Sequence, residues 1–344
     1  MDQLHNRDED RLQACMTGLS KARSDMEKVI VGQKEALSFT LMALLCEGHV
    51  LFEGVPGLGK TLLVRTLGSC LNLRFSRIQF TPDLMPADVI GTSMIARESD
   101  GDLGLTFEQG PVFTNLLLAD EINRASPKTQ SALLEAMQER TVTVRGQQHV
   151  LPRPFLVLAT QNPLDMEGTY PLPEAQTDRF LFKIIVDHPA HNELMEIIHR
   201  TVGPAQAAQP LEDAARLSPS DLVELQQAVK EVVLPSHLAD FASRMVLATH
   251  PQREASLHIV RKYLRFGSGP RGAQALAMAA KAHALVDGRF SVGMEDIQAV
   301  MLPALRHRIS LSFDGQSEGI VVDTLLSEIA EGVLASMKLP AALR

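Results

Sequence analysis

The chain is 344 residues long, 45% hydrophobic and 22% charged, with a formal net charge of −8 at pH 7. That is the balance of a globular protein with room for one large domain or two ordinary ones, and the acidic excess argues against a chain whose main work is coating nucleic acid. The opening MDQLHNRDED is polar and no apolar run reaches ~18 residues, so neither a secretory signal nor a membrane span is expected and the chain reads as cytoplasmic.

Leu12, Met16 and Leu19 fall at helical spacing and predict an amphipathic helix within residues 1–27. From 28 to 201, short apolar runs alternate with amphipathic segments. Strands are predicted at 49–52, 73–79, 115–119 and 155–160, and helices near 33–46, 60–71, 128–139 and 191–201. The alternation predicts an α/β domain with a largely parallel sheet. Asp100-Gly101, between the β-like runs 92–96 and 104–107, and Arg145-Gly146, within 141–151, are turn signals that predict two inserted β-hairpins. Residues 202–219, rich in Ala, Pro and Gln, read as a linker. Helical periodicity then runs through 221–233, 236–249, 272–287 and 293–300, predicting a small all-α domain over 220–316 and one more helix, 320–337, in the tail 317–344. Start signals stand at Ser220-Asp221 and at Ser291 before Glu295-Asp296. The cysteines, Cys15, Cys46 and Cys70, form no CxxC pair and read as reduced structural thiols.

The segment LFEGVPGLGKTLLVRTL contains G-x-x-x-x-G-K-[ST] between a predicted strand and a predicted helix. Gly54, Gly57 and Gly59 let the backbone wrap phosphates, and Pro56 stiffens the loop. The N–H groups of the loop and of the helix start offer partial positive charge to an anion. Lys60 can reach the β- and γ-phosphates, and the Thr61 hydroxyl can hold Mg²⁺. In NLLLADEINRA, Asp120 and Glu121 end an apolar strand, where open parallel sheets form their sites. Asp120 is placed to hold Mg²⁺ through water and Glu121 to polarise an attacking water; a helix cap is the competing reading. Asn162, just past the next strand, could bond the γ-phosphate or that water, or could be a turn residue before Pro163. Arginine is the usual further charge at a transferring phosphoryl group, and Arg124, Arg140, Arg179 and Arg271 are candidates that spacing alone does not separate.

These segments together resemble the AAA+ superfamily and, within it, the MoxR-type ATPases, over about residues 29–309. EGVPGLGKT is similar to the Walker A segment, LLLADEINRA to Walker B, and ATQNP to the sensor 1 segment with Asn162. EGTYPLPEAQTDRF, residues 167–180, is the most family-specific string and implies Arg179 as the arginine finger. GPRGAQAL implies Arg271 as the sensor 2 arginine of a lid. IVGQ, with Val31, Gly32 and Gln33, resembles the segment that packs near adenine, and Val55, Pro56, Leu58 and Leu62 join the expected nucleotide contacts with the loop. RIQFTPDLMPADVIGT and the hairpin after it resemble the helix-2 insert, and the hairpin at 141–151 the pre-sensor-1 insertion. Arg145 and His250 depart from the family pattern, away from the nucleotide motifs.

The resemblance implies ATP and Mg²⁺ as cofactors and a homo-oligomeric ring, usually of six subunits. Lys60, Thr61, Asp120, Glu121, Asn162 and Arg271 would act in cis and Arg179 from a neighbour. It further implies remodelling or maturation of a client protein beside a partner with a von Willebrand A domain. Other readings are a nucleotide-gated scaffold, a magnesium-chelatase-like motor subunit, and a nucleic-acid-acting AAA+ motor, the last opposed by the net charge of −8.

Overall fold

The apolar runs of the sequence become the middle of one sheet. In the computed structural model, residues 2–55, 57–97, 103–163, 168–202, 217–253 and 256–337 are described. Pro56, the Asp100-Gly101 turn, Glu167, most of the expected linker and the end of the tail lie outside them. The chain forms two compact units, one of Met1–Leu172 with Ile184–Val223, the other of Pro173–Lys183 with Glu224–Arg344.

In the first unit, helices α1 (Asp2–Val29) and α2 (Lys34–Leu45) precede strand β1 (Val50–Glu53), helix α3 (Lys60–Cys70) and strand β2 (Phe75–Gln79). A short helix α4 (Pro86–Ile90) leads into the hairpin β3 (Gly91–Arg97) and β4 (Leu103–Gln109). Strand β5 (Leu116–Asp120), a 3₁₀ turn at Ile122–Arg124 and helix α5 (Pro127–Glu139) follow. The second hairpin, β6 (Thr141–Val144) and β7 (Gln147–Val150), precedes strand β8 (Leu156–Gln161). Helix α6 (Glu174–Thr177) belongs to the other unit; strand β9 (Phe182–Ile185) and helix α7 (His191–Val202) come next.

The sheet order is β2-β5-β8-β1-β9, with β2, β5, β8 and β1 parallel. Central strands covered on both faces must be apolar throughout. Hence Leu116–Ala119 and Leu156–Ala159 are fully buried, whereas the edge strand β2 exposes Arg77 and Gln79. The β2–β5 register sets Gln79 opposite Asp120, a polar strand end beside the acidic one. His49 ties the layers together: its Nε2 donates to Met137 O on α5 (3.1 Å), and its Nδ1 accepts from Val157 N–H on β8 (3.0 Å). Burial holds this imidazole neutral, its pKa lowered to about 4. The hairpins are joined by stacking of Phe107 on His149, ring centroids 3.9 Å apart.

Beyond α8 (Pro219–Glu231) come α9 (Ser236–Ala248), α10 (His258–Tyr263), strand β10 (Leu264–Phe266), α11 (Pro270–Val286) and α12 (Met294–Leu305). Strand β11 (Ser310–Leu311), α13 (Phe313–Ser317) and α14 (Val322–Ser336) complete the described residues. The antiparallel β10–β11 ladder breaks the expected unbroken helicity; strands of three and two residues are too short to show a period. Two helix starts carry the acids that the sequence signalled. Asp221 Oδ2 accepts from Ser218 N–H at 2.8 Å, and Asp296 Oδ2 accepts from Gly293 N–H at 2.7 Å, so that Gly293 and not Ser291 stands at the cap of α12. In both, a carboxylate three residues on satisfies a helix-start N–H. Among the described residues no helix is long and apolar enough to cross a membrane.

Candidate nucleotide site

The site grows from the carboxyl ends of β1, β5 and β8, where each strand hands over to a loop. After β1 the backbone turns tightly. Gly54 lies so close to Val186 that an added Cβ would meet its carbonyl oxygen at 2.5 Å, which excludes other residues there. Gly59, at φ 80°, takes the left-handed conformation that starts α3. Lys60 Nζ, half-buried, donates to Gly54 O at 2.9 Å and so folds back over the loop. Burial lowers its pKa, opposed by the charges of Asp120, Glu121 and Glu53. The Gln33 amide donates to Leu58 O, laying the 30–33 segment against the loop.

Asp120 and Glu121 end β5 in a strained turn. Glu121 has φ 55°, unusual for a residue with a side chain, and its N–H donates to Thr160 Oγ1 at 2.9 Å. Thr160 Oγ1 in turn donates to Asp120 Oδ1 at 3.2 Å. Arg77 Nε lies 2.7 Å from Asp120 Oδ2. Gln79 Nε2 donates to Glu121 Oε2 at 2.9 Å, and Arg124 Nε lies 2.9 Å from the same oxygen. Asp120 is no helix cap: α5 is capped by Ser126, whose hydroxyl accepts from Thr129 N–H.

One cleft is lined by Gly54, Gly57, Leu58, Gly59, Lys60, Thr61, Asp120, Glu121 and Asn162. The expected contacts Val31, Gly32, Gln33, Val55 and Leu62 do not line it, and the Leu62 side chain is exposed. Arg77, Gln79, Thr160 and Gln161 line it too, and sequence reasoning passed over them. The available signal was their place at the ends of two predicted strands. The loop's N–H groups and Lys60 suit a polyphosphate. The Thr61 hydroxyl and Asp120 carboxylate are hard oxygen donors of the kind Mg²⁺ takes.

Arg179 and Arg271 belong to the second unit. The turn that carries Arg179 is gripped by three consecutive residues just past α12, Arg306, His307 and Arg308. Arg308 Nε pairs with Asp178 Oδ1 at 2.9 Å, and its other nitrogens donate to Phe180 O (2.7 Å), Leu181 O (3.1 Å) and Asp178 O (3.2 Å). His307 Nε2 donates to Phe180 O at 3.0 Å, and Arg306 Nη1 to Lys183 O at 3.3 Å. Burial pushes Arg308 down to about 10, so it stays charged at neutral pH. Arg271 Nη1 lies 3.6 Å from Asp178 Oδ2. Among the described residues Arg179 itself makes no ion pair. Arg140 pairs with Glu47 and Arg124 with Glu121.

A glycine loop between β1 and α3, acids at the end of β5 in the same parallel sheet and a second, largely helical unit define an ATPase of the AAA class. Residues 49–182 match the ATPase family associated with various cellular activities, and residues 257–329 match the AAA lid domain. Chaperone MoxR1 of Mycobacterium tuberculosis is 44% identical over 92% of this chain and 81% of its own length. Protein MoxR of Paracoccus denitrificans is 29% identical over 93% and 96%. A crystal structure of a candidate ATPase from Cytophaga hutchinsonii superposes with a TM-score of 0.86 at 38% identity, covering 96% of this chain and 98% of that one. The chain belongs to the MoxR family of AAA+ ATPases, and it is an ATP hydrolase.

Proposed function

We propose that this chain hydrolyses Mg²⁺–ATP in a cytoplasmic homo-oligomeric ring, usually of six subunits, to remodel or mature a client protein beside a von Willebrand A domain partner. In this reading Lys60 and the loop N–H groups hold the β- and γ-phosphates. Thr61 and Asp120 would hold Mg²⁺, which supplies charge neutralisation at the phosphoryl oxygens. Glu121 draws the proton from the attacking water, and Asn162 orients that water or the γ-phosphate. Arg271 closes the site from the lid and Arg179 completes it from a neighbour. Val31, Gly32 and Gln33 are assigned to the base.

One observation carries the shared site. Asp178 is engaged by both Arg308 and Arg271, while Arg179, next to it in the chain, has no ion pair among the described residues. A guanidinium on a clamped turn, with no carboxylate of its own, suits an anion from another chain. The client reading is supported by the name of the chaperone relative and by the exposed Met94, Ile95 and Leu105 of the first hairpin and Val150 of the second.

Mixing tests the sharing. Arg179→Ala and Lys60→Ala proteins, each inactive alone, should regain part of the parental ATPase rate in mixed assemblies. If assemblies verified to contain both variants stay inactive, the site is not shared in this way.

A further inference from the structure

We propose that Arg77 is a cation seated on the Asp120 carboxylate in competition with the metal, so that it sets how much Mg²⁺ the site needs. The proposal rests on the reading of Asp120 as a metal-holding residue, and it assigns a competing role to a side chain outside the Walker A, Walker B and sensor segments.

The geometry is specific. Arg77 and Gln79 are two apart on β2, so they share a face of the edge strand, and the β2–β5 register brings that face to the acidic strand end. Both oxygens of Asp120 are engaged, Oδ1 by the Thr160 hydroxyl (3.2 Å) and Oδ2 by Arg77 Nε (2.7 Å). The guanidinium also reaches Gln79 Oε1 at 3.4 Å, and Gln79 Nε2 reaches Glu121 Oε2 at 2.9 Å. One polar chain therefore runs Asp120–Arg77–Gln79–Glu121 across both acids.

The Arg77 side chain is 50% exposed and Asp120 13%. An ion pair with one partner in water contributes little and exchanges readily. A divalent cation arriving at Asp120 meets a positive charge within hydrogen-bond distance of the oxygen it needs, and the guanidinium can withdraw into solvent as it does. Arg77 thus opposes metal binding by about the strength of an exposed pair, a ~two- to five-fold effect on affinity. Until the metal binds, the same pair neutralises Asp120 and keeps it aimed into the cleft.

The test measures metal directly. Mn²⁺, a paramagnetic substitute for Mg²⁺, is titrated into full-length protein saturated with ADP, and free Mn²⁺ is followed by electron paramagnetic resonance. Arg77→Ala should bind Mn²⁺ ~two- to five-fold more tightly than the parent, and Arg77→Lys, which keeps the charge, should stay nearer the parent. Arg77→Gln replaces Arg77→Ala if the latter does not fold, with the same expectation. Unchanged or weaker Mn²⁺ binding in the neutral variants overturns the proposal; weaker binding means that Arg77 orients Asp120 for the metal. If the parent shows no ADP-dependent Mn²⁺ binding, the nucleotide-site reading fails instead, so the two failures are distinguishable.

Discussion

Two arginine–aspartate pairs flank the functional residues of this chain, and on distance alone they are alike. Arg77 Nε lies 2.7 Å from Asp120, and Arg308 Nε lies 2.9 Å from Asp178. Their surroundings differ. The Arg77 side chain is 50% exposed and that of Arg308 only 4%. Arg77 has one further side-chain partner, Gln79, whereas Arg308 spends its donors on four backbone carbonyls, of Asp178, Phe180, Leu181 and Ala304. Water competes at the guanidinium of the first pair and hardly reaches that of the second, although Asp178 itself is 28% exposed. The first is therefore suited to changing partners, and the second fixes the turn that carries Arg179. Exposure, not distance, separates a contact suited to switching from one suited to holding.

Removing each arginine should expose that difference most strongly. Arg308→Ala leaves Asp178 and several carbonyls without their donor, and stability should fall by ~3–5 kcal/mol. Arg77→Ala should change it by less than ~1 kcal/mol. Denaturant midpoints of the two variants check this, and comparable losses would break the comparison.

A smaller effect tests whether burial or location governs. His49 is a buried polar group in the first unit, with both ring nitrogens bonded. Its folded pKa, about 4, lies below the ordinary 6.5, so the unfolded chain binds the extra proton first as pH falls. Its contribution is fully present above pH 6.5 and is lost as pH falls toward 4, roughly 2–3 kcal/mol by pH 4.5. The half-buried His307, also lowered, adds to the same trend. In His49→Gln, stability should depend less steeply on pH between 6.5 and 4.5. An unchanged slope would show that the imidazole does not carry this dependence.

The same contrast explains what was legible in the sequence. The phosphate loop is eight consecutive residues, 54–61, whose chemistry is nearly all backbone and one lysine, so adjacency in sequence is adjacency in space. Asp120 and Glu121 end an apolar run, and buried parallel strands show as such runs. Arg77 and Gln79 were not legible as site residues. Their partners lie 43 and 42 positions away, and the contact depends on β2 lying beside β5, a matter of strand order that no local pattern states. The grip of Arg306, His307 and Arg308 on residues 178–183 spans more than a hundred positions, and a short run of basic residues reads alone as a solvated surface. The left-handed backbone at Glu121 is equally silent, because nothing about a glutamate announces a positive φ.

The most direct test of the central claim is single-turnover and steady-state hydrolysis by Glu121→Gln beside a measurement of its ATP affinity. The amide keeps the size and hydrogen-bonding reach of the side chain but cannot draw a proton from water. ATP affinity should stay near the parental value while turnover falls by ~10²–10⁴-fold. Hydrolysis at the parental rate would contradict the assignment of Glu121 as the base and, with it, the mechanism built on the ends of β1, β5 and β8.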